Sequence, residues 1–463
     1  MKKILLLGAG YANMSLLTKL DCELLQKAEW ILVSKEPYHY KSICLHDVAS
    51  GKHDKSVLFN LDSTLPSKIS IIQDEITSIQ PKIAQGQKAS YEYDYLVVGL
   101  GFDSDDFGIK GVCEYAKAIT SYKSAKQIYE NINQKLEDCR DKKGKTNLSF
   151  VVCGGGFSGI EFVASLAEEV RQKCLDFCID FNHISIYCIE AMPSILGMFG
   201  EDLQKAGLKK LQSLGVEVLT SSKILECKQD AVLISKDEQI HEIKADIIIW
   251  TAGVKGNPVI DNSPLFSEVI KARSRVEIDE YLRPKLAQKA QTAQTTQTAQ
   301  MPQTAQTQPK STTKSTTNAD KKTQPQNLPP KEKSTNNLDS PPPQVSVLEN
   351  VFVLGDCASF RNNPNDRFFP PTAQLAREQG KYLAQSFKIL LKKKTQKKLS
   401  KNKTPYGKKI LPFRFSPKGS ICSFGGRYAL GSLGNFGIKG YLASTLKKII
   451  EYLWNLQLKG ISF

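Results

Sequence analysis

Two glycine-rich turns hold the residues whose spacing most directly implies chemistry. In "VVCGGGFSGIEF", Gly154, Gly156 and Gly159 fall at Gly-x-Gly-x-x-Gly, after an apolar run and before a helical one. Such a turn seats a pyrophosphate. The first glycine permits the tight turn, the second lets the backbone approach the anion, and the third lets the helix pack close to the strand. The amides that open the helix, at Phe157 and Ser158, supply the anion site. The next strand, "ISIYCIE", ends at Glu190, whose carboxylate accepts ribose hydroxyls and repels a 2′-phosphate. The expected ligand is therefore NADH rather than NADPH. Glu190 stands 36 residues after Gly154, beyond the usual ~20, because the intervening helix is long.

The other turn, "LLLGAGYAN", keeps Gly8 and Gly10, followed by Tyr11 and Ala12, but has Asn13 in the third position. That glycine serves helix–strand packing, so Asn13 is expected to loosen the fit without removing the pyrophosphate contact. The following strand, "EWILVS", ends at Ser34-Lys35, with no acid to hold a ribose. Much later, "VFVLGDCA" puts Asp356 just past a strand end, where a carboxylate could bind a polyol chain.

The elements that position these groups repeat. Residues 1–118 read as strand, glycine turn and helix, then further strands, including "ISIIQDEI" and "YDYLVVGLG". Residues 119–270 restart the plan with a strand at Phe150–Cys153 and a helix at Ile160–Val170. This is a repeat of architecture rather than of residues. The fold class is α/β, with two Rossmann-like dinucleotide-binding domains. Residues 271–284 return to the first domain and 346–385 complete it. Residues 285–345, rich in Gln, Thr, Ala, Lys and Ser, read as a disordered insert. A basic loop at 386–410 and a C-terminal segment at 411–463 follow.

At 463 residues, with 41% hydrophobic and 24% charged, the composition is that of a globular protein with ample core. The formal net charge of +16 invites a nucleic-acid reading, but residues 285–345 carry +5 and 385–410 carry +10. The remainder is nearly neutral, so no nucleic-acid partner is expected. The 11 cysteines form no Cys-x-x-Cys pair, so no metal is expected, and isolated thiols fit a reducing compartment. Cys174 and Cys178, spaced i and i+4, read as small core residues of one helix. No run of 18 apolar residues exists, and the four-residue apolar run of "MKKILLLGAG" is too short for a signal sequence.

With these stretches in view, the chain resembles the type II NADH:quinone oxidoreductases, within the two-dinucleotide-domain flavoprotein superfamily. The resemblance rests on "PYHYKSICLHDVASG", "YDYLVVGLG", "DFGIKGV", "VVCGGGFSGIEFVASLAEEV", "IIIWTAGVKGNPVI", "VFVLGDCASF" and "PPTAQLAREQGKYLA", in the family's order. It implies FAD and NADH as cofactors, with hydride passing from nicotinamide to flavin and two electrons then to a membrane quinone. Gly8, Gly10, Tyr11, Ala12, Ser34, Lys35, Gly99, Gly101, Asp356 and Ala373 would face FAD. Gly154, Gly156, Phe157, Ser158, Gly159, Glu190, Ala252 and Gly253 would face NADH. Gly99-Leu100-Gly101 replaces the family's Ala-Thr-Gly. The quinone-site pattern Ala-Gln-x-Ala-x-Gln falls on Ala373, Gln374 and Ala376, with Glu378 in place of the second glutamine and Gln379 beside it. Ser42 stands where the family has Pro. Glu161 matches the family's acid near flavin and quinone, a candidate proton relay; its other reading is charge complementarity at a helix start. Lys418 would lie at the quinone mouth or serve as a plain surface lysine.

In the C-terminal helix, Leu442, Leu446, Ile449, Ile450, Leu453, Trp454 and Gln457 share one stripe, opposite Ser444, Lys447, Lys448, Glu451 and Asn455. Such a helix can lie in a bilayer interface, with Tyr441, Tyr452 and Trp454 at the headgroups, or face a core. The lysine run at 388–409 would add attraction to an anionic leaflet. The expected setting is peripheral, on the cytoplasmic face of a bacterial inner membrane, with a homodimer open. Two alternatives stay open. A sulfide:quinone oxidoreductase would need a cysteine pair flanking the flavin, for which Cys153 and Cys357 are not obviously placed. A flavoprotein that has lost catalysis would fit the departures at Asn13, Ser34, Gly99 and Glu378. The Cys-x4-Cys of disulfide reductases is absent, since Ala49 follows Cys44 at that spacing.

Overall fold

Strands form where apolar runs can be buried on both faces, as parallel sheets covered by helices require. The computed structural model describes residues 1–52, 54–142, 146–287, 346–392, 410–434 and 436–461. In the first half, β1 (Lys2–Leu7), β2 (Ala28–Ser34), β3 (Ile69–Gln73) and β4 (Tyr95–Val98) pair in parallel. Helix α1 (Tyr11–Leu17), buried at every residue, crosses from β1 toward β2, and α2 (Leu45–Ser50) follows β2. The second half repeats the plan with β5 (Ala116–Ala118), α3 (Tyr122–Asp141), β6 (Leu148–Cys153), α4 (Phe157–Phe177), β7 (Ile184–Ile189), β8 (Val216–Leu219) and β9 (Ile247–Trp250). Finally β10 (Val351–Val353) hydrogen-bonds β4 and completes the first sheet.

The two sheets match strand for strand. The first runs β10-β4-β1-β2-β3 and the second β5-β9-β6-β7-β8, all parallel. Each half also carries a three-stranded antiparallel meander, at residues 76–92 and 223–244. In both halves the glycine turn leaves the central strand at its C-terminal end, where doubly wound sheets bind ligands.

Helix α5 (Ala373–Leu390) packs on α1. It leads to an antiparallel sheet of β11 (Ser420–Ser423), β12 (Ala429–Leu433) and β13 (Phe436–Gly440), and then α6 (Tyr441–Leu458). Among the described residues no helix is long and apolar enough to cross a membrane.

Two expectations need correction. Residues 285–287 belong to the folded body: Lys285 bridges Val347, and the Ala287 amide donates to the Glu268 carbonyl. The rest of the expected insert, 288–345, and residues 393–409 of the basic loop lie outside the described residues. Cys174 is buried in α4, but Cys178 is exposed beyond its end with φ 56°, so the two do not share a core face.

Candidate functional site

The C-terminal end of the first sheet opens into a cavity of about 650 Å³. Gly8, Gly10, Tyr11, Ala12, Ser34, Lys35, Gly99, Gly101, Asp356 and Ala373 all line it, so the ten residues expected to face FAD are brought together. Gly8 adopts φ 85°, and a Cβ there would meet the Gly99 carbonyl oxygen at 2.5 Å. At Gly10 a Cβ would meet nothing nearer than 3.7 Å, leaving the backbone open to an anion. The Asp356 carboxylate faces the cavity, and among the described residues no group hydrogen-bonds it. Burial raises its pKa, while Arg275 beside it pulls the other way. A carboxylate aimed into a cavity without a protein donor suits a hydroxyl-bearing ligand. The residues present therefore fit FAD.

Asn13 does not loosen the turn. It is fully buried, and its Nδ2 donates to the carbonyls of Leu7 (2.9 Å) and Gly8 (2.7 Å). Gly99 makes the room, because a Cβ there would lie 2.9 Å from that nitrogen. The second half solves the same problem the other way round. There Thr251 Oγ1 donates to the carbonyls of Cys153 (2.9 Å) and Gly154 (3.3 Å), and Gly159 makes the room. The polar group and the glycine have exchanged places across the helix–strand contact. Two acids do stand near Ser34: Glu36 and Glu75 line the cavity, with Glu75 paired to Lys35 at 2.8 Å.

In the second turn, Gly154 has φ 117° and a Cβ would lie 2.8 Å from Ala252. At Gly159 it would lie 1.9 Å from the Gly154 carbonyl oxygen, whereas Gly156 faces open space. Gly156 and Ser158 are exposed at the start of α4, and Phe157 packs edge-on against Phe199. Glu190 lies just past β7, next to this turn. Its oxygens accept from the amides of Gly155 (2.6 Å) and Met192 (2.8 Å), which fixes the carboxylate beside the anion site. Ala252 and Gly253 follow Thr251 just past β9, and the Phe107 ring covers Gly253.

The remaining expected residues divide. The Lys418 amide donates to Gln374 Oε1 at 3.4 Å, so those two are neighbours, although neither lines the cavity. Glu378 turns outward and pairs with Lys381 at 3.0 Å. The inward residue is Gln379, fully buried, whose Oε1 accepts from the Gly355 amide at 2.8 Å. Glu161 is buried within α4 rather than set at its exposed start, which removes the helix-start reading. Its Oε1 accepts from Lys447 Nζ (2.6 Å) and from the amide and hydroxyl of Ser423 (3.0 Å each). Burial alone would raise this carboxyl, but Lys447 and His46 outweigh it and hold it below its usual value.

Helix α6 faces outward with its apolar side. Tyr441 (72% exposed), Leu442 (69%), Ile449, Ile450, Tyr452 and Leu453 are exposed, whereas Ala443, Ser444, Trp454 and Gln457 are buried. Trp454 and Gln457 therefore do not belong to the outward stripe. Trp454 packs on Tyr11, His39 and Arg377, and its Nε1 donates to His39 Nε2 at 3.2 Å.

A family model described as pyridine nucleotide-disulphide oxidoreductase matches residues 2–288. The chain belongs to that family. A type II NADH:quinone oxidoreductase of Staphylococcus aureus is 27% identical over 467 aligned residues, covering 99% of this chain and 96% of the relative. The solved structure of NDH2 from Plasmodium falciparum in complex with NADH superposes with a TM-score of 0.74 at 18% identity, covering 98% of this chain and 94% of that one. The sulfide:quinone oxidoreductase of Aquifex aeolicus gives 0.66 at 15%, covering 99% and 92%. These likenesses show the fold. All eleven cysteines are free, and none of them lines the cavity. Sequence reasoning gave no role to Glu75, Lys447 and His46, each reached by a contact across elements that no local spacing announces, nor to Glu36 and Gln379, which stand beside residues it did single out.

Proposed function

We propose that this chain is a type II NADH:quinone oxidoreductase that holds FAD in the cavity, takes NADH at the second glycine turn and reduces a membrane quinone. The observation that carries this reading is the pairing of two glycine turns on matching parallel sheets with a cavity at the first that no cysteine lines. Bound FAD would supply the two-electron carrier between NADH and quinone. Gly10 opens the backbone toward its pyrophosphate, Asp356 would accept from its polyol chain, and Gln379 fixes the Gly355 turn that carries Asp356. At the second turn, the α4 amides would bind the NADH pyrophosphate, and the anchored Glu190 would accept ribose hydroxyls while repelling a 2′-phosphate. Glu161 would exchange protons with the quinone, Gln374 and Lys418 would flank its approach, and Glu378 has no role in this reading.

The outward apolar side of α6 supports a peripheral membrane setting. That bilayer would be a bacterial inner membrane met from the cytoplasmic side. The sulfide:quinone alternative lacks support in the positions of Cys153 and Cys357: Cys153 lies inside the second sheet and Cys357 donates to the Gly101 carbonyl. The test is steady-state NADH consumption by the purified protein in quinone-containing vesicles. Turnover that requires quinone and is not supported by sulfide is expected. Quinone-independent rates, or sulfide as the preferred donor, would reject the reading.

A further inference from the structure

The two oxygens of Glu161 keep different company. Oε1 is occupied by Lys447 and Ser423, whereas Oε2 faces the His46 imidazole, with Nδ1 at 3.6 Å. The other ring nitrogen, Nε2, lies 3.4 Å from Asp47 Oδ2 and has no hydrogen-bond partner, although the ring is 5% exposed. Asp47 reaches the surface, with 20% of its side chain exposed. One imidazole thus bridges a buried carboxylate and one in touch with solvent. A neutral imidazole carries a single N–H, so it can serve only one of the two carboxylates. The other contact sets two lone pairs against each other until a further proton arrives. Burial lowers the His46 pKa, Glu161, Asp47 and Glu451 raise it, and Lys447 lowers it. The net direction is downward, which leaves the ring neutral and able to accept.

We propose that His46 relays a solvent proton from Asp47 to Glu161 during quinone reduction. This rests on the quinone-reductase reading above. NADH delivers two electrons and one proton as hydride, while a quinone reduced to quinol needs two electrons and two protons. One proton must therefore come from water. It binds Asp47 and moves to His46 Nε2, as the Nδ1 proton passes to Glu161 Oε2 and on to the quinone oxygen. A ring flip or tautomer exchange then restores the starting state, with Glu161 and Asp47 ionised, His46 neutral and no net change of charge on the three groups. His46 touches neither substrate nor cofactor in this scheme; it is a positioning residue acting through Glu161. Lys447 and Ser423 hold Oε1, which confines the traffic to Oε2.

The test uses the full-length, FAD-loaded protein in quinone-containing vesicles, with the two half-reactions followed separately. In His46→Asn, bleaching of the flavin by NADH should stay within about twofold, and reoxidation by quinone should slow about tenfold or more. The slowed step should fall as pH rises, where the unaltered protein is flat. Asp47→Asn, at the surface end, should give the same split with less risk to folding. Unchanged reoxidation, or equal slowing of both half-reactions, would overturn the relay. A second readout needs no turnover. Nuclear magnetic resonance of the His46 ring should show its titration moving to lower pH in Glu161→Gln, because a carboxylate that raises it is gone and Lys447 loses its partner. An unmoved titration would overturn it as well. If NADH cannot bleach the unaltered flavin, the oxidoreductase reading itself fails, and at a step that precedes any relay.

Discussion

Exchanging Asn13 and Gly99 for the pair used in the second half gives a demanding prediction. Asn13→Gly removes two amide hydrogen bonds to the Leu7 and Gly8 carbonyls, about 1 kcal/mol each. It also places a glycine inside α1, for about 1 kcal/mol more. Gly99→Thr alone forces a Cβ to 2.9 Å from Asn13 Nδ2, an overpacking that costs about 1–3 kcal/mol. Independent effects would sum to about 5 kcal/mol. In the double variant the threonine hydroxyl, with its single proton, can take over one carbonyl and lie near the other, as Thr251 does for Cys153 and Gly154. The net loss should then fall to about 1–2 kcal/mol, a coupling of about 3 kcal/mol. Urea midpoints of the four proteins, with flavin fluorescence reporting on the same sheet, measure it. A double variant as unstable as the sum of the singles would refute the mirrored exchange.

Three further outcomes follow from the geometry. His39 is buried and its pKa is lowered from 6.5 to about 4 by burial, opposed by the Ala9 carbonyl. Trp454 donates to Nε2, so Nδ1 carries the proton and donates to Ala9. The unfolded chain then binds a proton first, and stability that is whole above pH 6.5 should fall by up to about 3 kcal/mol toward pH 4. His39→Phe should flatten that slope in urea titrations, and an identical slope would count against it. Glu190→Ser should raise the NADPH-to-NADH ratio of kcat/KM by about tenfold or more, with FAD binding unchanged; a constant ratio removes Glu190 from the ribose site. Leu442→Glu with Ile449→Glu should abolish cosedimentation with anionic vesicles while NADH still bleaches the flavin, since each apolar side chain lost from the bilayer forfeits about 1.5–3 kcal/mol. Retained binding would place that face elsewhere.

The central strands of both sheets were legible because β1, β4 and β6 are short apolar runs that pass straight into glycine, a signal that depends on neighbours in sequence; β5 and β8, at the edges of the second sheet, carry no such mark. The Asn13–Gly99 exchange was not, because a buried amide and the space for it come from different strands, and only their contact shows that one compensates the other. Glu378 and Gln379 sit about 100° apart on a helix, so a one-residue choice of phase decides which meets Gly355. The apolar stripe of α6 could be read, but not that Ala443, Ser444 and Trp454 form the side that docks. His46 stands in a recognisable stretch, yet its meaning depends on Glu161, more than a hundred residues away.

In the proposed reading, one chain carries electrons from NADH through FAD to a quinone. The most direct measurement is an anaerobic spectrum of the purified protein. A yellow flavin band should bleach with one equivalent of NADH and return when a soluble quinone is added. A band unmoved by NADH, or bleached and not restored by quinone, would contradict it.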